Sequence, residues 1–390
     1  MSKRILVMDA HAVGMLGVIR SLGRAGYSVT ACAASEQAIG LHSRYAENSV
    51  IHPPYSSSHF VDWLKNCIQE HRVEMIVPSE SFLHAIEACY EDFMPLLPDA
   101  VSAAVWQQCM SKVESDRILR SNTDSVDSLP LTAIVTDCEN LDALRTLLEP
   151  ASPPYYVKAD AGKSRAGKAG AVVRRCLTVA EAVQSVRNLL PDYQAVVCQA
   201  HAPGHKVGVS LWRHGGEFLA ESMTLGIHMN PFHGGMMSLR ETFWHQRLLE
   251  DAKQKMALLG WEGVAMMEYK WDPASDRFWF IEINARYWGY LHLDLYAGKD
   301  FPRLQTDAFF GVVHSALGPP PKGIRCRYLF PADIGYLLSI LKSTETTYVE
   351  RLKALVGFVG WTLDPRCHAD LSFPGDRVLY WRAVKDFFRR

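Results

Sequence analysis

Residues 263–289, GVAMMEYKWDPASDRFWFIEINARYWG, carry two glutamates and an asparagine at a spacing that could hold a divalent cation. Asp272 to Asp276 is turn chemistry and its flanks read as strands, so the segment predicts a hairpin. Side chains two apart on a strand share a face. With the turn centred near Ala274, Glu268 and Glu282 point the same way and lie diagonal to one another, about 7–8 Å apart between backbones. Asn284 follows two residues beyond Glu282 on that face, and Arg286 two beyond Asn284. Two carboxylates and an amide oxygen form a hard-oxygen set suited to magnesium, which fills its other positions with water and phosphate. Arg286 adds a cation for a transferring phosphate. The bland alternative is a polar strand face in water. Phe278, Phe280, Ile281, Ile283 and Trp288 speak against it, because carboxylates among apolar neighbours are costly unless paired with a cation.

A second stretch, AGKSRAGKAG at 161–170, is one residue short of the phosphate-binding pattern G-x-x-x-x-G-K-[ST]. That pattern needs a strand before it and a helix N-terminus after it. YYVK, ending at Lys158, supplies the strand. AVVRRC follows, rich in β-branched residues and without a capping residue, and the next helix begins near Thr178 with Glu181 three residues on. Gly162, Gly167 and Gly170 therefore join two strands as a hairpin tip, and Ala169 lacks the hydroxyl that such a loop places on magnesium. A tip with unpaired N–H groups and three cations (Lys163, Arg165, Lys168) can fold over a triphosphate. Taken alone it reads equally well as a solvated basic loop.

The elements that must position these groups are legible in outline. Ile5–Met8 is a short apolar run suited to a buried parallel strand; Val13, Leu16, Ile19 and Leu22 follow at helical spacing, and Tyr27–Ala33 is a second strand. A further strand, helix and strand follow to Pro78. Repeated β-α units predict a parallel sheet with helices on both faces. Gly14 and Gly17 invite a dinucleotide reading, but the first glycines of G-x-G-x-x-G are missing and Asp9 sits where a pyrophosphate would; close helix–strand packing explains them better. From about residue 105 the pattern changes to a helix carrying Lys112 and then to several strands. GPPPKG at 318–323 reads as a boundary, and a strand-like RVLYW precedes a basic end.

Of the 390 residues, 48% are apolar and 21% charged, with a net charge of −1, so neither a nucleic acid nor another polyanion is the expected partner. Nine scattered cysteines without C-x-x-C pairs read as reduced thiols. With no signal-like or membrane-spanning run, a cytoplasmic protein without a membrane partner is expected.

FIEINARYWG resembles the metal-binding strand of the ATP-grasp superfamily, which usually reads E-I-N-x-R, and the resemblance extends over about residues 1–320. It implies an α/β fold in four parts. A Rossmann-like domain that uses no nucleotide spans 1–104, and a small subdomain with the glycine-rich loop spans 105–198. A large subdomain with the metal site spans 199–320, and a C-terminal extension spans 321–390. Lys112 and Lys158 resemble the two ATP lysines. The loop residues Gly162, Ser164, Gly167, Lys168 and Gly170 would close over the triphosphate. In VVCQAHAPGHKVGVS, Gln199, Pro203 and Gly204 match the adenine-side hinge, with Ala200 where an acid is common. In FHGGMMSLRET, Gly234, Gly235, Ser238 and Arg240 resemble a segment facing the substrate carboxyl and the γ-phosphate.

YWGYLHLDLYAGKDFP is similar to the carboxylate–amine ligases, the group containing D-alanine–D-alanine ligase and D-aspartate ligase. The resemblance thus implies ATP and two magnesium ions, with manganese as a substitute, held by Glu268, Glu282 and Asn284. It implies small-molecule carboxylate and amine substrates, an acyl-phosphate intermediate, and Arg240 and Arg286 as the catalytic cations. A kinase or carboxylase on the same fold is the alternative, and a nicotinamide-dependent reductase a more distant one. Residues 321–390 could shape the acceptor pocket, form a homodimer contact or simply cover the sheet.

Overall fold

In the computed structural model, which describes residues 2–122, 127–160, 163–165, 170–312 and 314–389, the strands gather into three sheets. The first contains β1 (Arg4–Val7), β2 (Ser28–Ala33), β3 (Asn48–Ile51) and β4 (Met75–Val77), all parallel, in the order β3-β2-β1-β4. β1 and β4 are short apolar runs buried on both faces, as parallel strands under helices must be. The second sheet is antiparallel: β5 (Thr132–Val135), β6 (Tyr155–Ala159), β7 (Val172–Cys176) and β8 (Val196–Ala200), in the order β5-β8-β6-β7. The glycine stretch does join two adjacent antiparallel strands, β6 and β7. Thr178 caps the helix Val179–Leu189 by accepting from the Glu181 amide.

The third sheet has seven strands in the order β13-β12-β9-β10-β11-β14-β15. They are β9 (His205–His214), β10 (Glu217–Asn230), β11 (Met236–Thr242), β12 (Gly263–Asp272), β13 (Arg277–Asn284), β14 (Arg325–Arg327) and β15 (Cys367–Ala369). Odd-numbered residues of β9 and β12 (Val207, Val209, Leu211, Met267, Tyr269) pack on Leu248, Leu249 and Met256 of the helix Gln246–Leu258. The even-numbered residues, Glu268 among them, face the other way. Residues beyond the proline run add β14 and β15 to this sheet, so 321–390 extend it. Among the described residues no helix is long and apolar enough to cross a membrane.

Two expectations are corrected. RVLYW is not a strand: Val378–Phe388 is a helix whose Leu379 is buried beside Leu16 and Leu371. One buried anchor in an 11-residue helix outweighs the β propensity of Val and Trp, because propensity yields to tertiary packing. Gly14 and Gly17 do serve close packing, but not against a strand. A Cβ on Gly14 would overlap the Trp288 carbonyl, and one on Gly17 would press on Leu291. The helix Val13–Arg24 thereby seats directly on the segment that follows β13. Gly14→Val is expected to cost about 1–3 kcal/mol by overpacking; a melting temperature equal to that of the parent would show that this contact is not made.

Candidate active site

The β12–β13 hairpin sets the site. Pairing runs Asp272 with Arg277, Trp271 with Phe278, Lys270 with Trp279 and Tyr269 with Phe280, and then Glu268 with Glu282. One extra residue, Ile281, is accommodated in a β-bulge. The bulge advances the register, so the two glutamates are directly opposite and not diagonal as expected. Met266 then pairs with Asn284. Residues directly opposite share a face and have Cβ atoms about 4.5–5.5 Å apart.

Two acids this close need cations, and the fold supplies them from both sides. Lys206, on β9, places its ammonium 2.8 Å from Glu268 Oε1 and also donates to the Gly235 carbonyl at 2.9 Å. From the opposite side Lys112 reaches Glu282 Oε2 at 3.2 Å. Lys112 is the first residue of the helix Lys112–Arg120, whose N-terminus is doubly tied. Ser111 caps it, and the buried Asp160 carboxylate accepts from the Lys112 amide at 2.8 Å. Lys158, on β6, is buried and donates to Gln199 Oε1 at 2.9 Å; Gln199 in turn donates to Thr132 Oγ1 at 3.4 Å.

The electrostatics follow from this placement. Burial alone would raise the Glu282 carboxyl, but Lys112, Lys158 and Lys206 outweigh it and hold it down at about 2. Burial works against the Lys112 ammonium, yet Glu282 and then Asp160 more than compensate and raise its pKa. Lys158 goes the other way. Its burial lowers the pKa, and the attraction of Glu282 and Glu268, opposed by Lys112 and Lys206, does not restore it.

The remaining expected residues fall in different places. Arg286 donates to Glu80 Oε2 at 3.0 Å and to Asn284 Oδ1 at 2.9 Å, so it joins the carboxylate pair through the asparagine. Ser164 is buried and bridges to Tyr193, whose hydroxyl donates to the Gly170 carbonyl. Gly162, Gly167 and Lys168 lie outside the described residues. Arg240 is bonded elsewhere. Its guanidinium is buried, ion-paired with Asp370, and within reach of the Ser238 carbonyl at 3.4 Å. Ser238 is occupied by Asp333 at 2.6 Å.

Three participants were not singled out from sequence: Lys206, Asp160 and Glu80. Lys206 lies two residues from Gly208 on the strand beside β12, a pairing that local sequence does not reveal. Gly208 itself pairs with Glu268, and a Cβ there would overlap the Tyr290 hydroxyl. Beside Lys112 opens a cavity of about 390 Å³ lined by Glu80, His84, Gln107, Glu114 and Lys163. A narrower cleft lined by Lys112, Lys158, Gln199, Phe280 and Glu282 runs between the second and third sheets. Among the described residues no three His, Cys, Asp or Glu side chains gather to bind a metal, so any cation here would rest on two carboxylates and an amide.

No family model matches the sequence, and no curated protein is similar to it. Solved structures do match. An L-amino acid ligase from Bacillus licheniformis superposes with a TM-score of 0.58 at 17% identity, covering 82% of this chain and 75% of that one. An N5-carboxyaminoimidazole synthetase from Staphylococcus aureus, solved with ADP, gives 0.60 at 14% identity over 83% and 82%. A biotin carboxylase from Campylobacter jejuni gives 0.61 at 15% over 83% and 74%. At such identities the shared property is the fold, and this chain has the fold of these three solved enzymes.

Proposed function

We propose that this chain is an ATP-dependent carboxylate–amine ligase, joining amino acids or small peptides through an acyl phosphate with release of ADP and phosphate. The observation that carries the reading is the opposed pair Glu268–Glu282, gripped by Lys206 on one side and Lys112 on the other. Such a site is balanced without ligand and ready to exchange partners. Incoming phosphates would draw off the lysines, and the freed carboxylates would need cations.

Glu268, Glu282 and Asn284 fit magnesium, which is usually held by one or two carboxylates together with substrate phosphates. Bound there, two magnesium ions would neutralise charge on the phosphates. Lys112 and Lys158 would hold the nucleotide's phosphates, with Gln199 orienting Lys158. The loop bearing Ser164, Lys168 and the glycines would cover them and exclude water, which otherwise hydrolyses the acyl phosphate. Arg286, which donates to Asn284, would meet charge developing on the transferred phosphoryl group. The cavity beside Lys112 gives the acid and amine room.

In this reading residues 1–104 are a Rossmann-like domain without a nucleotide, 105–198 and 199–320 the two subdomains, and 321–390 an extension of the larger one. The likeness to an L-amino acid ligase supports the substrate class. A screen of amino-acid pairs with ATP and magnesium, read as phosphate release, tests it. Release is expected only when an acid and an amine are both present. Phosphate release driven by bicarbonate, or ADP formed from a single hydroxyl acceptor without free phosphate, would replace the ligase reading with a carboxylase or a kinase.

A further inference from the structure

Of the seventeen large apolar residues exposed on the described surface, eleven lie between Leu338 and Phe388, so the exposure is concentrated in the C-terminal part. Most belong to one helix, Tyr348–Leu363, whose only buried residue is Ala354. The helix is firmly built. Thr347 and Glu350 form a capping box, Arg327 lies over Phe358 and donates to Thr362 Oγ1 at 2.7 Å, and Arg325 lies over Trp361. Its outward side is bare: Tyr348, Leu352, Leu355, Val356, Val359 and Leu363 are 41–87% exposed. Steps of three and four residues put them on one stripe.

The order of these residues is symmetric about the point between Leu355 and Val356. Tyr348 mirrors Leu363, Leu352 mirrors Val359, and Leu355 mirrors Val356. A two-fold interface demands this kind of self-match, because residue i meets j and j meets i. In an antiparallel pair of these helices every stripe residue would face another apolar one. Off the stripe, Glu350, Arg351 and Lys353 mirror Trp361, Gly360 and Phe358, so no like charges fall at mirror positions. Together the stripe and Val349 expose on the order of 800 Å², about what one partner gives to a standard-size interface. A lipid surface fits less well. Residues 354–363 carry no charge, whereas a helix lying on anionic lipid is rich in Lys and Arg along its polar face.

We propose that two copies of this chain associate by antiparallel self-pairing of Tyr348–Leu363 about a two-fold axis between Leu355 and Val356. The inference is independent of the catalytic reading, since its test reads mass. Light scattering on the full chain at tens of micromolar is expected to give the mass of two chains, and the mirror-pair variant Leu352→Glu/Val359→Glu the mass of one with unchanged circular dichroism. Leu355→Cys is expected to form a disulfide-linked dimer on mild oxidation, above the background set by the exposed native Cys138; it keeps the test usable should the double variant misfold. A single-chain mass for the parent protein, a dimer that survives both glutamates, no crosslinking above background, or a monomer that sediments with phosphatidylserine vesicles would each overturn the proposal.

Discussion

Glu282→Gln is expected to lower ATP-dependent phosphate release by roughly a thousandfold or more, in line with the loss of one strong transition-state electrostatic contact, while the protein stays folded. The side chain keeps its shape, and only its charge goes. That charge is what Lys112, Lys158 and Lys206 jointly stabilise against burial, with the carboxyl held at about 2. Without it the lysines lose a competitor for phosphate, and in the proposed site magnesium would lose a ligand. Two binding measurements therefore separate the roles. In EDTA the variant should bind ATP at least as tightly as the parent, because Lys112 no longer has to leave a partner 3.2 Å away. With magnesium present, the gain in affinity seen for the parent should largely vanish. Parent-like turnover, or an undiminished magnesium effect, would remove Glu282 from the metal site.

The site was legible in sequence to the extent that it is local. The hairpin, the shared face of its glutamates and the asparagine follow from turn chemistry and two-residue alternation, as do the strand before the glycine stretch and the Thr178 cap after it. The bulge at Ile281 was not legible, because nothing in RFWFIEIN marks which residue the ladder leaves unpaired; it turned a diagonal pair into an opposed one. Lys206 and Asp160 escaped for a different reason. Their roles depend on which strand lies beside β12 and which helix begins above β6, and those neighbours are distant in sequence. The pairing of Glu80 with Arg286 spans 206 residues. The seven-stranded sheet could not be closed from local pattern, since β14 and β15 have three residues each and no periodicity to read.

Asp370→Ala is expected to destabilise the protein by about 3–5 kcal/mol, the cost of leaving a buried charge without its partner. Arg240 sits in the interior of the large sheet with its guanidinium ion-paired to Asp370, and Cys326 donates to the same carboxylate. The attraction shows on both partners. Burial opposes each charge, yet Arg240 holds the Asp370 carboxyl below its ordinary value, and Asp370 raises the guanidinium. The same segment is fastened to the first helix. Arg20 donates to the Asp370 backbone carbonyl at 2.5 Å and to Asp376 Oδ2 at 2.9 Å, a clasp between the two ends of the chain that does not use the Asp370 carboxylate. If Arg240 is a packing cation, Arg240→Met/Asp370→Leu should recover much of the stability lost by either single change, because an apolar pair of similar volume removes both desolvation costs. It should also retain turnover. A catalytic Arg240 makes the opposite demand: the double variant would melt near the parent and yet be inactive. A thermal scan and a phosphate-release assay on three variants therefore decide whether Arg240, which by resemblance would face the γ-phosphate, acts on substrate or fastens the C-terminal segment to the sheet.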